Sequence, residues 1–156
     1  LIAKNGQYTT YPGNVIELVD HVINNRRPMY IICQTRNEPP HLRWLANYFD
    51  DVDYWVHHVS WMTEKTSKAK DGEWISGFPH VHDRGAGTIT AITYLTECEG
   101  GELAVWKEDG TEIVYSPKPG LVVFTDGQAK HGVKAVRGGD RMAIHTTGHL
   151  VKKRKV

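Results

Sequence analysis

Over the first fifty residues apolar side chains recur at helical spacing. Val15, Ile16, Leu18, Val19, Val22 and Ile23 follow the breaker Tyr11-Pro12-Gly13-Asn14. An amphipathic helix is therefore predicted to run to about Asn24, with Asn14 as its cap. After Arg26-Arg27-Pro28 comes a short apolar run from Met29 to Cys33, and Glu38-Pro39-Pro40 then opens a second helix through Leu42, Trp44, Leu45 and Phe49. From Val52 the texture changes to short β-type runs: Tyr54 to Met62, Gly87 to Thr96, Glu102 to Lys107, Glu112 to Tyr115, Leu121 to Thr125, Gly132 to Val136, and Arg141 to Thr147. Turn residues such as Gly100-Gly101, Asp109-Gly110, Pro117-Lys118-Pro119-Gly120, Asp126-Gly127 and Gly138-Gly139-Asp140 separate them. Runs this short and this regularly punctuated predict antiparallel strands in a sandwich or jelly roll, with the helices packed on one outer face. The polar, lysine-rich segment from Thr63 to Ser76 reads as an exposed loop.

A chain of 156 residues has room for one domain with a real core and not for two of ordinary size. The expected division is a helical support over about 12–50, a jelly-roll core over about 52–150 and a basic tail over 151–156. A formal net charge of +1 gives no global preference for nucleic acid, and no apolar run is long enough to cross a bilayer. The tail Val-Lys-Lys-Arg-Lys-Val reads as a solvated terminus and is assigned no function. The opening Leu1 to Gly13 lacks the basic-then-apolar order of a secretory signal, and Cys33 and Cys98 are far apart with no sign of a disulfide framework. A cytoplasmic setting is expected.

Chemistry enters with the stretch Phe78 to Gly87, in which His80 and His82 stand two positions apart and Asp83 follows. On a strand alternate side chains share a face, so His80 and His82 would point together, as two ligands of one metal must. A third ligand has to come from elsewhere, and His131 is the best candidate because it follows the turn Asp126-Gly127-Gln128 and opens a new strand. Three ligands on one face of an octahedral ion leave the opposite positions open for substrate and oxygen. With nine histidines in the chain, a His-x-His also arises by chance. His57-His58 is read as such a case, and His21, His41 and His149 as surface positions.

From His80 to Thr147 the order of features resembles the core of the Fe(II)/2-oxoglutarate-dependent dioxygenases, prolyl-hydroxylase-like branch. A histidine motif is followed by a strand ending in Tyr94-Leu95, then Gly100-Gly101-Glu102-Leu103, then Pro117-Lys118-Pro119-Gly120 with Phe124, then His131, then Arg141. The resemblance implies a fold that is mainly β with N-terminal helices, a double-stranded β-helix (jelly roll), and a hydroxylase that uses Fe(II) and 2-oxoglutarate. By the same resemblance His80 and His131 are iron ligands, while Arg141 and Tyr94 hold the far carboxylate of 2-oxoglutarate, a job suited to a planar guanidinium fork. His145, on the Arg141 face, lies near the same pocket as a supporting or merely buried residue.

One position departs from the pattern. The family usually shows His-x-Asp, but here the third place is His82 and the carboxylate of Asp83 falls one residue later. Either His80, His82 and His131 form a three-histidine site, the preferred reading because it needs no irregularity, or a bulge turns Asp83 inward as the ligand. In the first case Asp83 is left to orient a ligand histidine or to pair with Arg84. The expected reaction splits 2-oxoglutarate into succinate and carbon dioxide with dioxygen and hydroxylates a C–H bond of a peptidyl or small-molecule substrate. Trp55, Trp61, Trp74 and the Thr63 to Ser76 loop are candidates to line or cover a cleft. Two rivals remain: a cupin-type three-histidine enzyme that does not use 2-oxoglutarate, and a non-catalytic jelly-roll module that binds a metal or ligand.

Overall fold

The computed structural model describes residues 3–25, 31–33, 42–49, 52–67, 69, 73–75 and 89–150, with backbone alone at 21–25, 31–33, 42–43, 52–58 and 149–150. In chain order the elements are β1 (Tyr8–Thr10), α1 (Val15–Asn25), β2 (Ile31–Cys33), α2 (Leu42–Leu45) running into a 3-10 turn (Ala46–Tyr48), β3 (Val52–Met62) and β4 (Ile89–Tyr94). There follow β5 (Glu99–Gly100), β6 (Leu103–Trp106), β7 (Glu112–Tyr115), β8 (Leu121–Asp126), β9 (His131–Val133), β10 (Val136–Gly138) and β11 (Arg141–Leu150). A six-stranded sheet has the order β1-β8-β4-β11-β3-β2, a three-stranded sheet the order β7-β6-β9, and β10 pairs with β5. Every pairing between these strands is antiparallel. The chain is mainly β, as its punctuation predicts.

The described central strands of the large sheet, β4, β8 and most of β11, are buried on both faces, and this determines what the helices do. On one face Ala91, Val122 and Phe124 pack with Ala3, Ile89 and Leu45, and Trp44, Tyr48 and Phe49 close over them. Farther along, Leu18 of α1 is buried against Leu95, Met142 and Ile144, with Val15 and Val19 beside it. On the other face Ile92, Tyr94, Val123 and Ala143 pack against Leu103 and Val105 of β6. Helices therefore cover the outer face and the small sheet covers the inner one.

Helix α1 starts where expected, because the Asn14 side-chain oxygen accepts the Ile16 N–H at 2.9 Å and so satisfies one of the unpaired donors of the first turn. It ends at Asn25, one residue past the expected limit. The second helix is described from Leu42 and tightens to a 3-10 turn after Leu45.

Two expectations need correction. The run from Gly132 to Val136 is not one strand but the end of β9 and the start of β10. Between them the Lys134 N–H still bonds the Glu102 carbonyl and the Ala135 carbonyl accepts the Gly101 N–H, while residues 73–75 pair along the other edge through Ile75 to Val133 and Ala135 to Glu73. The Thr63 to Ser76 segment is also not wholly exposed. Residues 64–66 are, but Ser67 is buried and its hydroxyl accepts the Val136 N–H at 3.0 Å. Three short strands, β1, β2 and β5, have too few residues to give a period, and β1 and β2 close the two edges of the large sheet.

Candidate active site

Strand β11 places Ala143 opposite Tyr94 and His145 opposite Ile92. Because directly opposed residues share a face, Arg141, Ala143, His145, Tyr94 and Ile92 all belong to the inner side of the large sheet. Arg141 has no exposed surface, and neither has Tyr94. Its guanidinium donates from Nε to the Gly101 carbonyl at 2.9 Å and from Nη2 to the Tyr94 hydroxyl at 3.2 Å, with its carbon 5.2 Å from the Tyr94 ring centre. The approach of Gly101 is possible only without a side chain. Its φ is +68°, and a Cβ there would lie 2.9 Å from Arg141 Cδ and 3.1 Å from Cys98 Sγ.

One part of this cation has no match. Arg141 Nη1 is buried and has no hydrogen-bond partner among the described residues. Taking a guanidinium out of water costs several kcal/mol unless its donors meet acceptors, so a buried N–H pair of this kind calls for an anion. Tyr94 adds a second donor, since its oxygen accepts from Arg141 and its own proton remains. Burial pushes the Tyr94 hydroxyl above the ordinary tyrosine value, which the charge of Arg141 and its hydrogen bond only partly offset. The phenol is a donor at neutral pH. Burial likewise raises the half-buried Cys98 thiol, against the lowering effect of Arg141.

His131 reaches the same interlayer space from the small sheet. It pairs with Val105 and Val133 pairs with Leu103, so the inward face of β9 is the face that carries the core residues of β6. The residue is almost wholly buried, at 9% exposure, and its ring Nδ1 lies 2.9 Å from the Ala129 carbonyl. A carbonyl can only accept, so this contact selects the tautomer with its proton on Nδ1 and the lone pair on Nε2, as a metal ligand requires. The turn before it is ordered by Asp126, whose side chain accepts from Gln128 N–H at 2.9 Å and whose carbonyl accepts from Ala129 N–H at 3.0 Å.

The structure thus brings Arg141 and Tyr94 into direct contact, with His145 on the same face and His131 facing them from the second sheet. His80, His82 and Asp83 lie outside the described residues. Among the described residues no group of three His, Cys, Asp or Glu side chains could hold a metal. His58 has its backbone opposite His145 in the β3–β11 ladder. In the sequence Gly101 reads as a turn residue and as part of the Gly100-Gly101-Glu102-Leu103 feature, and Cys98 only for its lack of a disulfide framework; the closeness of Gly101 to Arg141 has no local signal.

A family model described as the 2OG-Fe(II) oxygenase superfamily matches residues 44–147, two thirds of the chain. The protein belongs to the 2OG-Fe(II) oxygenase superfamily. Its activity is oxygenation dependent on Fe(II) and 2-oxoglutarate (2OG). The fold of this 2OG-Fe(II) oxygenase is similar to that of a Pseudomonas putida prolyl-4-hydroxylase, with a TM-score of 0.64 at 15% identity over 93% of this chain and 88% of the other. It is also similar to a viral collagen prolyl hydroxylase from Paramecium bursaria Chlorella virus-1 in its 2OG complex, with a TM-score of 0.57 at 15% identity over 96% and 97% of the two chains. A Trichoplax adhaerens prolyl hydroxylase in complex with a hypoxia-inducible factor peptide fragment gives 0.56 at 14% identity over 93% and 84%. No curated protein matches the sequence. The residues of this oxygenase fit its cosubstrate, since the unmatched Arg141 Nη1 and the Tyr94 O–H are donors suited to one carboxylate, and the His131 tautomer fits a divalent metal.

Proposed function

We propose that the protein is a C–H hydroxylase built as a single double-stranded β-helix domain, with its iron held by His80, His82 and His131. Arg141 and Tyr94 grip the distal carboxylate of 2OG from the inner face of the large sheet. The observation that carries this reading is the buried Arg141 Nη1, a cation donor with no acceptor among the described residues. A cupin-type enzyme without 2OG gives that guanidinium no 2OG carboxylate to hold, and among non-catalytic modules only one that binds an anion would match it.

When bound, the iron would let dioxygen oxidise 2OG to succinate and carbon dioxide with one oxygen atom and hydroxylate the substrate C–H bond with the other. The chain's own residues orient and exclude water. Arg141 and Tyr94 fix one end of the cosubstrate, and the Leu103, Val105 and Val123 cluster beside them keeps the cavity dry. His131, held by Ala129, presents a lone pair in a single orientation. Asp83 orients a ligand histidine in this reading, and His145 supports the pocket from the Arg141 face.

The substrate is a peptidyl segment or a small molecule. Among the described residues no helix is long and apolar enough to cross a membrane. The setting proposed for the protein is cytoplasmic.

Succinate release from 2OG with Fe(II), followed without added substrate and then with peptide and small-molecule pools, tests the activity. Release abolished by Arg141→Ala supports the reading, and no release from the wild type refutes it. Metal binding by His82→Ala and Asp83→Ala decides the third ligand. The three-histidine site requires the first substitution to abolish binding and the second only to weaken it.

A further inference from the structure

Asn5 sits in a turn whose ends are joined by the Gln7 N–H and the Lys4 carbonyl at 3.0 Å, with Gly6 at φ +79° beyond it. Such a turn takes glycine at its third position and leaves the side chain of the residue before it free to project. Backbone bonds from Gly6 N–H to Phe124 and from Phe124 N–H to Gln7, both 2.8 Å, stitch the turn to β8. Nothing about its local conformation needs the Asn5 amide.

That amide spans the two sheets instead. Its oxygen accepts the Asp126 N–H at 3.0 Å, at the end of β8, and its nitrogen donates to the Trp106 carbonyl at 3.3 Å, at the end of β6. Trp106 in turn donates its N–H to Lys130 at 3.0 Å. The connection from Asp126 to Lys130, which ends immediately before His131, is therefore held at both ends by a closed ring of hydrogen bonds that passes through one side chain. Both anchor points are backbone atoms, so the ring controls where the chain enters β9 and hence where the His131 ring begins.

We infer that Asn5 is a positioning residue for the metal centre, acting through the Asp126–Lys130 connection on His131. This rests on the reading of His131 as an iron ligand. Groups that hydrogen-bond a ligating histidine typically change metal affinity by about 10- to 100-fold when removed, and Asn5, acting one step farther back through the backbone, is expected at the lower end of that range. A purely structural tie would instead lower the stability of the fold and leave affinity alone. The hydroxyl of Tyr115 provides the contrast, because it holds the same turn through the Gly6 carbonyl without touching the connection.

The test titrates metal-free full-length protein with Co(II), reading the dissociation constant from the visible spectrum, and records thermal unfolding of the metal-free forms. Asn5→Ala is expected to raise the dissociation constant about tenfold. Asn5→Asp, which keeps an acceptor for Asp126 N–H and loses the donor to Trp106, gives a smaller rise and serves if the alanine variant fails to fold. Tyr115→Phe lowers the unfolding temperature and leaves the constant unchanged. The inference is overturned if Asn5→Ala binds Co(II) like the wild type while His131→Ala does not, or if Asn5→Ala and Tyr115→Phe weaken binding alike. Wild-type binding by His131→Ala overturns the ligand assignment itself, and the inference with it.

Discussion

Gly101 and Arg141 are in contact through the one place on the glycine where any other residue carries a Cβ, which would stand 2.9 Å from Arg141 Cδ. The same glycine offers its carbonyl to Arg141 Nε. Substituting Gly101→Ala therefore strains the backbone at φ +68° and pushes the guanidinium away from Tyr94. The expected outcome is a rise of at least about tenfold in the KM for 2OG together with a lower unfolding temperature. Steady-state succinate kinetics and a thermal melt check both parts.

Arg141→Lys keeps a positive charge but not the planar fork that donates to Gly101 and Tyr94 at once. Lysine cannot place three donors in that geometry, so the conservative change is expected to behave nearly as badly as alanine, with a KM for 2OG raised by about two orders of magnitude. A lysine variant with wild-type KM contradicts the assignment of a fork to the carboxylate.

Tyr94 has a hydroxyl raised above its ordinary value of 10.0, mainly by burial. The folded protein binds this proton more tightly than the unfolded chain, so the resulting stability is complete below about pH 10 and is lost as pH climbs through the higher folded value. Unfolding temperature should fall in alkali, and Tyr94→Phe should make that fall shallower. Tyr11 and Tyr115, both also raised, leave a residual slope.

Asn14 and Phe124 separate local from global stability. Asn14→Ala removes the cap bond to Ile16 and should cost about 1 kcal/mol with 2OG turnover unchanged, because α1 lies on the outer face. Phe124 is fully buried beneath Tyr48 and Phe49, so Phe124→Ala should cost about 3–5 kcal/mol. Chemical denaturation measures both.

Much of this architecture is written in local pattern. The helical spacing of Val15 to Val19 and the cap at Asn14 are properties of neighbouring residues, and so are the turns that punctuate β4 to β11; they appear in the structure within a residue or two. The same holds for the face of Arg141, since alternation along one strand assigns it with Ala143 and His145 whatever the rest of the chain does.

What the chain does between distant elements is a different matter. Strands of two or three residues, such as β5 and β1, have no period to read, and no local pattern shows that residues 73–75 come to pair along the edge of β9. That Tyr94 receives a hydrogen bond from Arg141, that Gly101 must be bare to admit the guanidinium, and that Asn5 ties Asp126 to Trp106 are all contacts between segments far apart along the chain. Sequence alone nominated the residues for the chemistry and, by alternation, the face on which Arg141, Ala143 and His145 lie. Tertiary structure decided which of them meet, because side-chain contact depends on how two sheets register and stack, and no local period encodes that distance.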